Sequence, residues 1–225
     1  MEDQFSKITS LLGDPVRSKI MWALLDGRAY TATELAVYAD TSPQNMSMHL
    51  QKLVEAELLS VEKQGRHRYY NYARPDIAFA IEALAGLLPK PETDILVKLP
   101  DAPIRYCRSC YDHLAGKVGV TLTDSLVKKD YITNRNGEFE VSTAGSAFFS
   151  TLDIDIVALA NQKRSFARAC LDWSERKPHL AGSLGAALMS KMVQQDWLRK
   201  TQNSRAITLT GKGRAELYRL LQIDI

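Results

Sequence analysis

The sequence predicts a mainly α-helical fold with short β-hairpins, an α+β class, in which an N-terminal module precedes two repeated units. Three observations lead to this prediction. Apolar residues recur at helical spacing through most of residues 1–88, the period changes to two around Gly65, and a passage that begins at His113 recurs at His179. Helical spacing indicates amphipathic helices, alternation indicates half-buried strands, and the recurring passage indicates a duplicated unit.

The composition is that of an ordinary globular protein. The chain has 225 residues, of which 45% are hydrophobic and 24% are charged, and this length suits one or two domains. No apolar run approaches the ~18 residues that span a bilayer, and the acidic start Met1–Gln4 does not resemble a signal peptide. The three cysteines therefore predict reduced thiols in a cytoplasmic protein that has no membrane partner.

The net charge of +3 is unevenly distributed along the chain. Residues 1–88 carry 9 basic and 11 acidic side chains, whereas residues 89–225 carry 20 and 15. The bulk charge does not identify a nucleic-acid-binding protein, so that function has to be argued from the placement of individual side chains.

The first 56 residues have the pattern of short amphipathic helices. The first helix carries an apolar stripe from Phe5 to Leu12. Capping or first-turn residues mark the starts of three further helices, at Asp14-Pro15, at Thr31 or Thr33, and at Ser42-Pro43. The residues of the fourth helix that face inward are Met46, Leu50, Leu53 and Val54.

The period changes to two after the fourth helix. Leu59–Lys63 and His67–Tyr72 alternate on either side of Gly65, which predicts a β-hairpin with a glycine turn. A final helix is predicted from Asp76 to Leu88. Helices followed by such a hairpin form the order of a winged helix-turn-helix, which makes residues 1–88 a candidate DNA-binding domain.

The fourth helix has an outward face of short, neutral hydrogen-bonding side chains. Such groups read base edges in the major groove, and a helix N-terminus offers free N–H groups to a phosphate. The hairpin tip adds cations suited to the DNA backbone or the minor groove. The predicted contacts are Ser42, Gln44, Asn45, Ser47 and Gln51 on the helix, and Lys63, Arg66, His67 and Arg68 on the hairpin. The alternative is a solvated polar helix with a basic turn.

Four stretches of this region carry a family resemblance. They are Leu11–Arg17, Glu34–Ala36, Ser42–Leu50 and Arg68–Tyr70. Over roughly residues 5–88 the chain resembles the ArsR/SmtB family of bacterial repressors. The resemblance implies a homodimer that recognises a double-stranded DNA operator and releases it when an effector binds. It also implies a DNA-facing position for His49, for which a packed, hydrogen-bonded structural role is an equal alternative.

The sequence departs from the family at both of its familiar metal sites. Metal sensors of this family often place a cysteine pair in the helix after Glu34, where this chain has Ala36 and Tyr38. Others use His and acidic ligands in the last helix of the domain, but residues 76–88 contain no His and only two acidic residues, Asp76 and Glu82. A sensor site is therefore expected elsewhere in the chain.

The second half of the chain contains an internal repeat. Prolines punctuate residues 89–103, which predicts a linker between residues 1–88 and a C-terminal domain of residues 104–225. His113–Gly119 recurs as His179–Gly185, and the two copies cover about residues 104–156 and 164–225. Each copy passes from a helix through a polar turn and a strand into a small helix, much as the N-terminal module does. The C-terminal domain is therefore predicted to be two degenerate winged-helix-like units with a pseudo-twofold centre, a frequent location for a pocket.

Each copy also carries a constellation of charged, thiol and imidazole groups. Tyr106–Asp112 aligns with Phe166–Asp172, so that both copies have the order aromatic, Arg, Cys, Asp, followed by a His. Cys107 has no counterpart in the second copy. The candidate effector or metal residues are Arg108, Cys110, Asp112, His113, Arg168, Cys170, Asp172 and His179.

Three interpretations of this constellation remain open at this point. Two thiolates and two imidazoles are a familiar tetrahedral set for a divalent metal such as zinc. Alternatively, Arg108 and Arg168 clamp an anionic effector. The third interpretation is structural: the cysteines are buried as small apolar residues, Asp112 and Asp172 cap the following helices, and the arginines pair with those carboxylates.

The sequence as a whole predicts a DNA-binding transcriptional regulator, a repressor whose effector is a small molecule or a metal ion. The alternative is a thiol- or metal-binding protein, or a cysteine-dependent enzyme, whose C-terminal cluster is the main active element. No nucleotide loop, zinc hydrolase helix or nucleophile elbow is present in the sequence, which favours a protein that is not an enzyme.

Overall fold

The computed structural model describes residues 1–87, 103–202 and 204–225, and in it short antiparallel strands alternate with helices. The chain forms two compact domains, Met1–Leu84 and Ala85–Ile225. Each has a core of its own. The predicted linker, residues 89–103, lies outside the described residues except for its last position. None of the described helices is long and apolar enough to cross a membrane.

The N-terminal domain has the element order of a winged helix-turn-helix. Its helices are α1 (Glu2–Leu12), α2 (Pro15–Ala23), α3 (Ala32–Ala39), α4 (Pro43–Glu55) and α5 (Pro75–Ala85), and the 3₁₀ turn Leu24–Asp26 follows α2. Its strands are β1 (Tyr30–Thr31), β2 (Leu59–Gln64) and β3 (His67–Tyr72). The short strand β1 is absent from the sequence prediction. It pairs with β3, so that the hairpin becomes a three-stranded antiparallel sheet in the order β1-β3-β2.

The helix starts follow from local hydrogen bonding. The Asp14 side chain accepts from the Arg17 backbone N–H before α2, and the Ser42 hydroxyl accepts from the Asn45 N–H before α4. Of the two threonines considered for α3, the structure uses Thr31, which forms a capping box with Glu34. The predicted last helix is shorter than expected, because α5 ends at Ala85 rather than at residue 88.

The C-terminal domain contains the same order of elements twice. The first repeat consists of β4 (Arg108–Cys110), β5 (His113–Ala115), α7 (Gly116–Lys128), β6 (Ile132–Arg135), β7 (Glu138–Val141) and α8 (Thr143–Thr151). The second consists of β8 (Arg168–Leu171), β9 (Pro178–Ala181), α10 (Gly182–Gln194), β10 (Leu198–Lys200), β11 (Ile207–Leu209) and α11 (Gly211–Leu221). The short helices α6 (Pro103–Tyr106) and α9 (Ile156–Ala160) precede the two copies. Each copy begins with a β-hairpin. A helix, a second hairpin and a last helix follow, and these three elements resemble a winged unit.

The passage from helix to hairpin recurs three times with the same backbone geometry. After α4, α7 and α10, an acidic residue adopts a left-handed conformation, with φ of 55°, 55° and 56° at Glu57, Asp130 and Asp196. The next N–H then bonds five residues back, at 2.8–3.0 Å in each case. These are the bonds of a Schellman motif, which turns the chain sharply into the first strand of the wing.

Strands of the two repeats pair with each other, so the repeats do not fold as separate units. Strand β7 of the first repeat pairs with β8 of the second, in a four-stranded sheet of order β6-β7-β8-β9. On the opposite side, Arg108 of β4 bridges to Ala206, next to β11. Apolar residues of both copies, such as Leu126 and Leu184, belong to one core. The two hairpins that carry the repeated Cys and His residues are therefore held against each other, because β5 also packs on β9.

Candidate functional site

Helix α4 is anchored by one apolar face. Met46, Leu50 and Leu53 are fully buried in the core of the N-terminal domain. The helix begins at Pro43, whose fixed φ suits the first turn, and Ser42 caps it. Because the buried residues are spaced by three and four, the side chains at the remaining positions of the helix face away from the core.

The outward face of α4 carries Gln44, Ser47, Met48 and Gln51, all of which are exposed. These positions follow one another at spacings of three and four, so that they form a single stripe. Met48 is 58% exposed and was missed by the sequence prediction, which considered only polar contacts. Its spacing from Gln44 was the available signal. An apolar side chain on a base-reading face suits the methyl group of thymine.

Hydrogen bonds within the helix distinguish among the predicted contact residues. The Asn45 amide donates to the Thr41 hydroxyl at 2.8 Å, and the Ser47 hydroxyl donates to the Pro43 carbonyl at 2.9 Å. The Gln51 amide donates to Glu55. Gln44 lies in the first turn and is exposed, so its amide is well placed to meet a base edge.

His49 is not part of this outward stripe. Its side chain is 13% exposed, and its Nδ1 atom lies 3.4 Å from Oδ1 of Asp14, the cap of α2. Asp14 also has a pKa below its ordinary value; burial raises that pKa, but the Arg17 N–H, the Arg17 charge and His49 lower it more. This position favours the packed, structural alternative for His49 over a base contact.

The hairpin β2–β3 presents a cluster of cations. Gln64 pairs with His67, and only Gly65 and Arg66 lie between them. Gly65 has a φ of +60°, and the pattern of a glycine at the first of two loop positions is that of a type II′ turn. The side chains of Lys63, Arg66 and Arg68 are exposed at this tip, as is His67.

The repeated cysteines and histidines meet in the C-terminal domain. One ligand atom from each of Cys110, His113, Cys170 and His179 lies within 4.8 Å of every other, which is a spacing that could hold one metal ion. Cys110 pairs with His113 across the hairpin β4–β5, and Cys170 pairs with His179 across β8–β9. Only Cys170 is partly exposed; the other three residues are buried.

The two imidazoles face each other through their Nε2 atoms, which are 3.2 Å apart. Their Nδ1 atoms point to carboxylates. His113 Nδ1 lies 3.4 Å from Asp112 Oδ1, and His179 Nδ1 lies 3.5 Å from Asp172 Oδ2. Each repeat thus supplies a thiol, an imidazole and an acid behind that imidazole.

The arginines and aspartates pair differently from the structural interpretation of the sequence. Arg108 donates to Asp172 of the other repeat at 2.9 Å, not to Asp112, and both side chains are almost completely buried. Asp112 binds Arg164 instead, through both of its oxygens. Arg168 is exposed on the strand β8, and Asp172 pairs with Arg108, so the expected Arg168–Asp172 pair is wrong. The binding of an anionic effector by Arg108 and Arg168 stays a prediction. No pattern in the sequence pointed to Arg164, which lies outside the repeated motif.

Asp172 is the most highly bonded of these acids. Burial raises the pKa of its carboxyl, but the Arg108 charge and hydrogen bonds from Ser174, Glu175 and Gly116 lower it more, to about 2. The bond from Gly116 N, at 2.7 Å, lies at the start of α7. Asp172 therefore caps the helix of the first repeat, whereas a cap within its own repeat was expected.

The third cysteine lies apart from the cluster. Cys107 is completely buried in the apolar core, and burial raises the pKa of its thiol to about 12. Such a thiol remains protonated at neutral pH and is a poor nucleophile and metal ligand. Cys107 has no counterpart in the second repeat, and its environment agrees with its absence from the candidate effector residues.

Comparison with known proteins identifies the N-terminal domain and the chain as a whole. A helix-turn-helix domain family matches residues 12–62. The uncharacterized HTH-type transcriptional regulator YdfF of Bacillus subtilis is 44% identical over the full length of both chains. The transcriptional repressor SdpR of Bacillus subtilis is 28% identical over 90 residues, which are 40% of this chain and 99% of SdpR.

Among solved structures, the cadmium metal-sensor CMTR of Mycobacterium tuberculosis is 31% identical. The match covers 40% of this chain and 92% of that one, with a TM-score of 0.33. The full-length identity to YdfF decides the assignment. The chain belongs to the family of HTH-type transcriptional regulators, which bind DNA, and its helix-turn-helix domain is followed by a C-terminal domain.

Proposed function

We propose that this DNA-binding regulator is a homodimeric repressor whose operator affinity is controlled by an effector held in the C-terminal domain. The observation that carries the DNA-reading part is the exposed stripe of α4, on a helix that is capped at Ser42 and anchored by three buried residues. A rigid helix with one exposed polar face suits entry into the major groove.

The proposal divides the DNA contacts between two elements. On α4, Gln44 and Ser47 read base edges, Met48 contacts a thymine methyl, and the helix N-terminus around Ser42 and Asn45 binds a phosphate. On the hairpin, Lys63, Arg66 and Arg68 neutralise backbone phosphates. All of these side chains except the partly buried Asn45 are exposed, which supports this division. His49 positions α2 against α4 through Asp14.

A second copy of the chain is the proposed partner of the N-terminal domain. Helix α1 has no buried residue, although it carries an apolar stripe that includes Phe5, which is 70% exposed. Ile8 and Leu12 of this stripe pack partly against the core of the domain. The part of the stripe that stays exposed, around Phe5, is typical of an interface. A twofold dimer presents two reading helices and favours an operator with two inverted half-sites.

The C-terminal domain has the proposed role of receiving the effector and not of catalysis. Three of the four residues in the Cys and His cluster are buried, which leaves little room for a substrate at a thiol nucleophile. The similarity to transcriptional regulators supports a role without catalysis. Because such a regulator has to reach DNA, we place it in the cytoplasm. To change occupancy, the effector has to bind the form with low operator affinity more tightly than the other form.

The base-reading role of Gln44 is tested with the substitution Gln44→Ala. A duplex selected by the full chain from a random library serves as the specific DNA, and a scrambled duplex as the nonspecific one. We expect the variant to lose about 1–3 kcal/mol of discrimination between the two, because a bidentate base contact is removed. The measurement is a binding titration with both duplexes at one salt concentration.

The matched control is Gln194→Ala, which removes an exposed glutamine from α10 in the C-terminal domain. It should leave discrimination unchanged. An equal loss of affinity of Gln44→Ala for both duplexes would contradict base reading by α4. Failure of the unmodified chain to select any duplex would contradict operator binding itself.

A further inference from the structure

The geometry of the Cys and His cluster matches one tetrahedral ion. Two nitrogens bound to one zinc ion at about 2.0–2.1 Å in tetrahedral geometry lie about 3.3 Å apart. The Nε2 atoms of His113 and His179 are 3.2 Å apart, and the ligand atoms of Cys110 and Cys170 complete a group within 4.8 Å. The two nitrogens thus already lie at the spacing that coordination requires, and the two sulfur ligands lie close enough to join them.

The carboxylates behind the two imidazoles support the same conclusion. A neutral imidazole that donates from Nε2 has a lone pair on Nδ1, and here that lone pair would face a carboxylate oxygen of Asp112 or Asp172. When a metal ion binds both Nε2 atoms, each Nδ1 carries the proton and faces the carboxylate as a donor. Metal-bound histidines nearly always have such an outer partner.

One arrangement without a metal also pairs every ring nitrogen. A proton shared between the two Nε2 atoms leaves a proton on both Nδ1 atoms and gives the pair one positive charge. It provides no role for two thiols at the same point, whereas a divalent ion is neutralised by two thiolates. The presence of a cysteine beside each histidine therefore favours the ion over the shared proton.

The donor atoms define the class of ion. Thiolate sulfur and imidazole nitrogen suit thiophilic ions that accept tetrahedral geometry, whereas Mg²⁺ and Ca²⁺ require oxygen ligands. We propose that Cys110, His113, Cys170 and His179 bind one divalent ion of the zinc and cadmium class, and that this ion is the effector of the C-terminal domain. The effector role rests on the proposed function, whereas the metal site does not.

The position of the site gives the ion a way to act on the domain. Each repeat contributes one Cys and one His, so the ion joins two hairpins that belong to different repeats. The buried Arg108–Asp172 pair also spans the repeats and lies behind His179. Cys170 is the partly exposed ligand and marks the side from which an ion enters.

The site is tested by titrating the reduced full-length chain with Co²⁺ and then displacing it with Zn²⁺. Tetrahedral Co²⁺ bound to thiolates absorbs visible light, whereas Zn²⁺ does not. We expect this absorption to saturate at one ion per chain and to disappear on addition of Zn²⁺. Absence of the tetrahedral absorption, or saturation without involvement of thiolate, would overturn the metal site.

Variants assign the ligands. Cys110→Ser and Cys170→Ser each remove one of the two thiolates. Each should therefore lower the Co²⁺–thiolate absorption and weaken Co²⁺ binding by more than 100-fold. Asp112→Asn keeps all four ligands but changes the partner behind His113, and it also weakens the Arg164 contact at the surface. It should weaken binding by about 10–100-fold. Cys107→Ala is the matched control and should bind Co²⁺ as the unmodified chain does. Full binding by Cys110→Ser, with circular dichroism showing a folded chain, would overturn the assignment.

A separate measurement tests the effector role. We expect Zn²⁺ to lower the affinity of the chain for its selected duplex by about 5–150-fold, and the Cys170→Ser variant to lose this response. Unchanged affinity in a chain that shows the Co²⁺ absorption would overturn the effector role and leave the metal site. Absence of specific DNA binding with and without Zn²⁺ would mean that the proposed function has failed, and the absorption would still decide the site.

Discussion

At the scale of single residues, the chemistry of a side chain could be predicted more readily than its partner. The alternation of buried and polar positions in α4 correctly predicted the burial of Met46 and Leu50. The residue types alone could not show that His49 is packed against Asp14, because that contact joins two helices. Nor could a search for polar contacts find Met48, whose exposure depends on the angle at which α4 meets the core.

The phosphate role of the wing gives a prediction for Arg66. Replacement by alanine should weaken binding to all duplexes to a similar extent, because a phosphate contact carries no sequence information. The slope of log K against log salt concentration should become shallower by about one, since one counterion fewer is released. Binding titrations at several salt concentrations measure this slope.

The control is Arg135→Ala, at the exposed tip of the equivalent hairpin β6–β7 in the C-terminal domain. Its salt slope should equal that of the unmodified chain. An Arg66→Ala variant with an unaltered slope would place the wing tip away from the DNA backbone.

At the scale of elements, the repeat predicted the helices and winged units of the C-terminal domain. It did not predict the opening hairpins β4–β5 and β8–β9, whose strands carry His113 and His179. The small helices α8 and α11 begin after Ser142 and Thr210, and each hydroxyl accepts from the N–H of a glycine three residues on. Glycine is required at these positions because a Cβ atom would clash with a neighbouring backbone carbonyl, not because the helix itself needs glycine. A Cβ at Gly145 would lie 2.0 Å from the Tyr131 carbonyl oxygen.

Two glycines of α11 allow a matched test of this packing. A Cβ at Gly213 would lie 2.2 Å from the Trp197 carbonyl oxygen, whereas a Cβ at Gly211 would meet no atom within 4 Å. Gly213→Ala should therefore lower the free energy of unfolding by about 1–3 kcal/mol, the usual cost of forcing an extra group into a packed site.

Gly211→Ala should keep or slightly raise the stability, since alanine is the better helix former. Urea unfolding of the two full-length variants measures the difference. Equal stability of the two variants would show that α11 moves away from the hairpin without cost.

At the scale of the whole molecule, the sequence showed that the C-terminal domain is duplicated but not how its halves combine. Self-similarity aligns Arg108 with Arg168 and Asp112 with Asp172, so it suggests two equivalent pairs. The structure instead joins Arg108 to Asp172 across the repeats. Which of two equal partners a strand or a charge selects depends on tertiary geometry, on which a single sequence carries no direct information.

This buried pair predicts strong coupling between the repeats. Arg108→Met or Asp172→Asn alone should each cost about 3–5 kcal/mol of unfolding free energy, because the remaining polar group stays buried without its partner. The double variant should be more stable than the sum of the two losses implies, and urea unfolding of the four proteins measures that difference.

The surface pair Arg219–Glu216, in which the arginine is exposed and the glutamate partly exposed, provides the comparison. Arg219→Met and Glu216→Gln should change the stability little, since water screens their interaction. Strictly additive losses at Arg108 and Asp172 would contradict a direct link between the two halves of the domain.

The reciprocal pairing of strands between the two repeats has a consequence for assembly. Each half offers a sheet edge and an apolar surface that only the opposite half covers, which is the requirement met by an isologous pair of subunits. Tandem fusion makes that association intramolecular, so dilution does not separate the halves. The C-terminal domain is in this sense a permanent dimer within one polypeptide, and the two thiols and two imidazoles of the candidate metal site are always present together, at a fixed ratio.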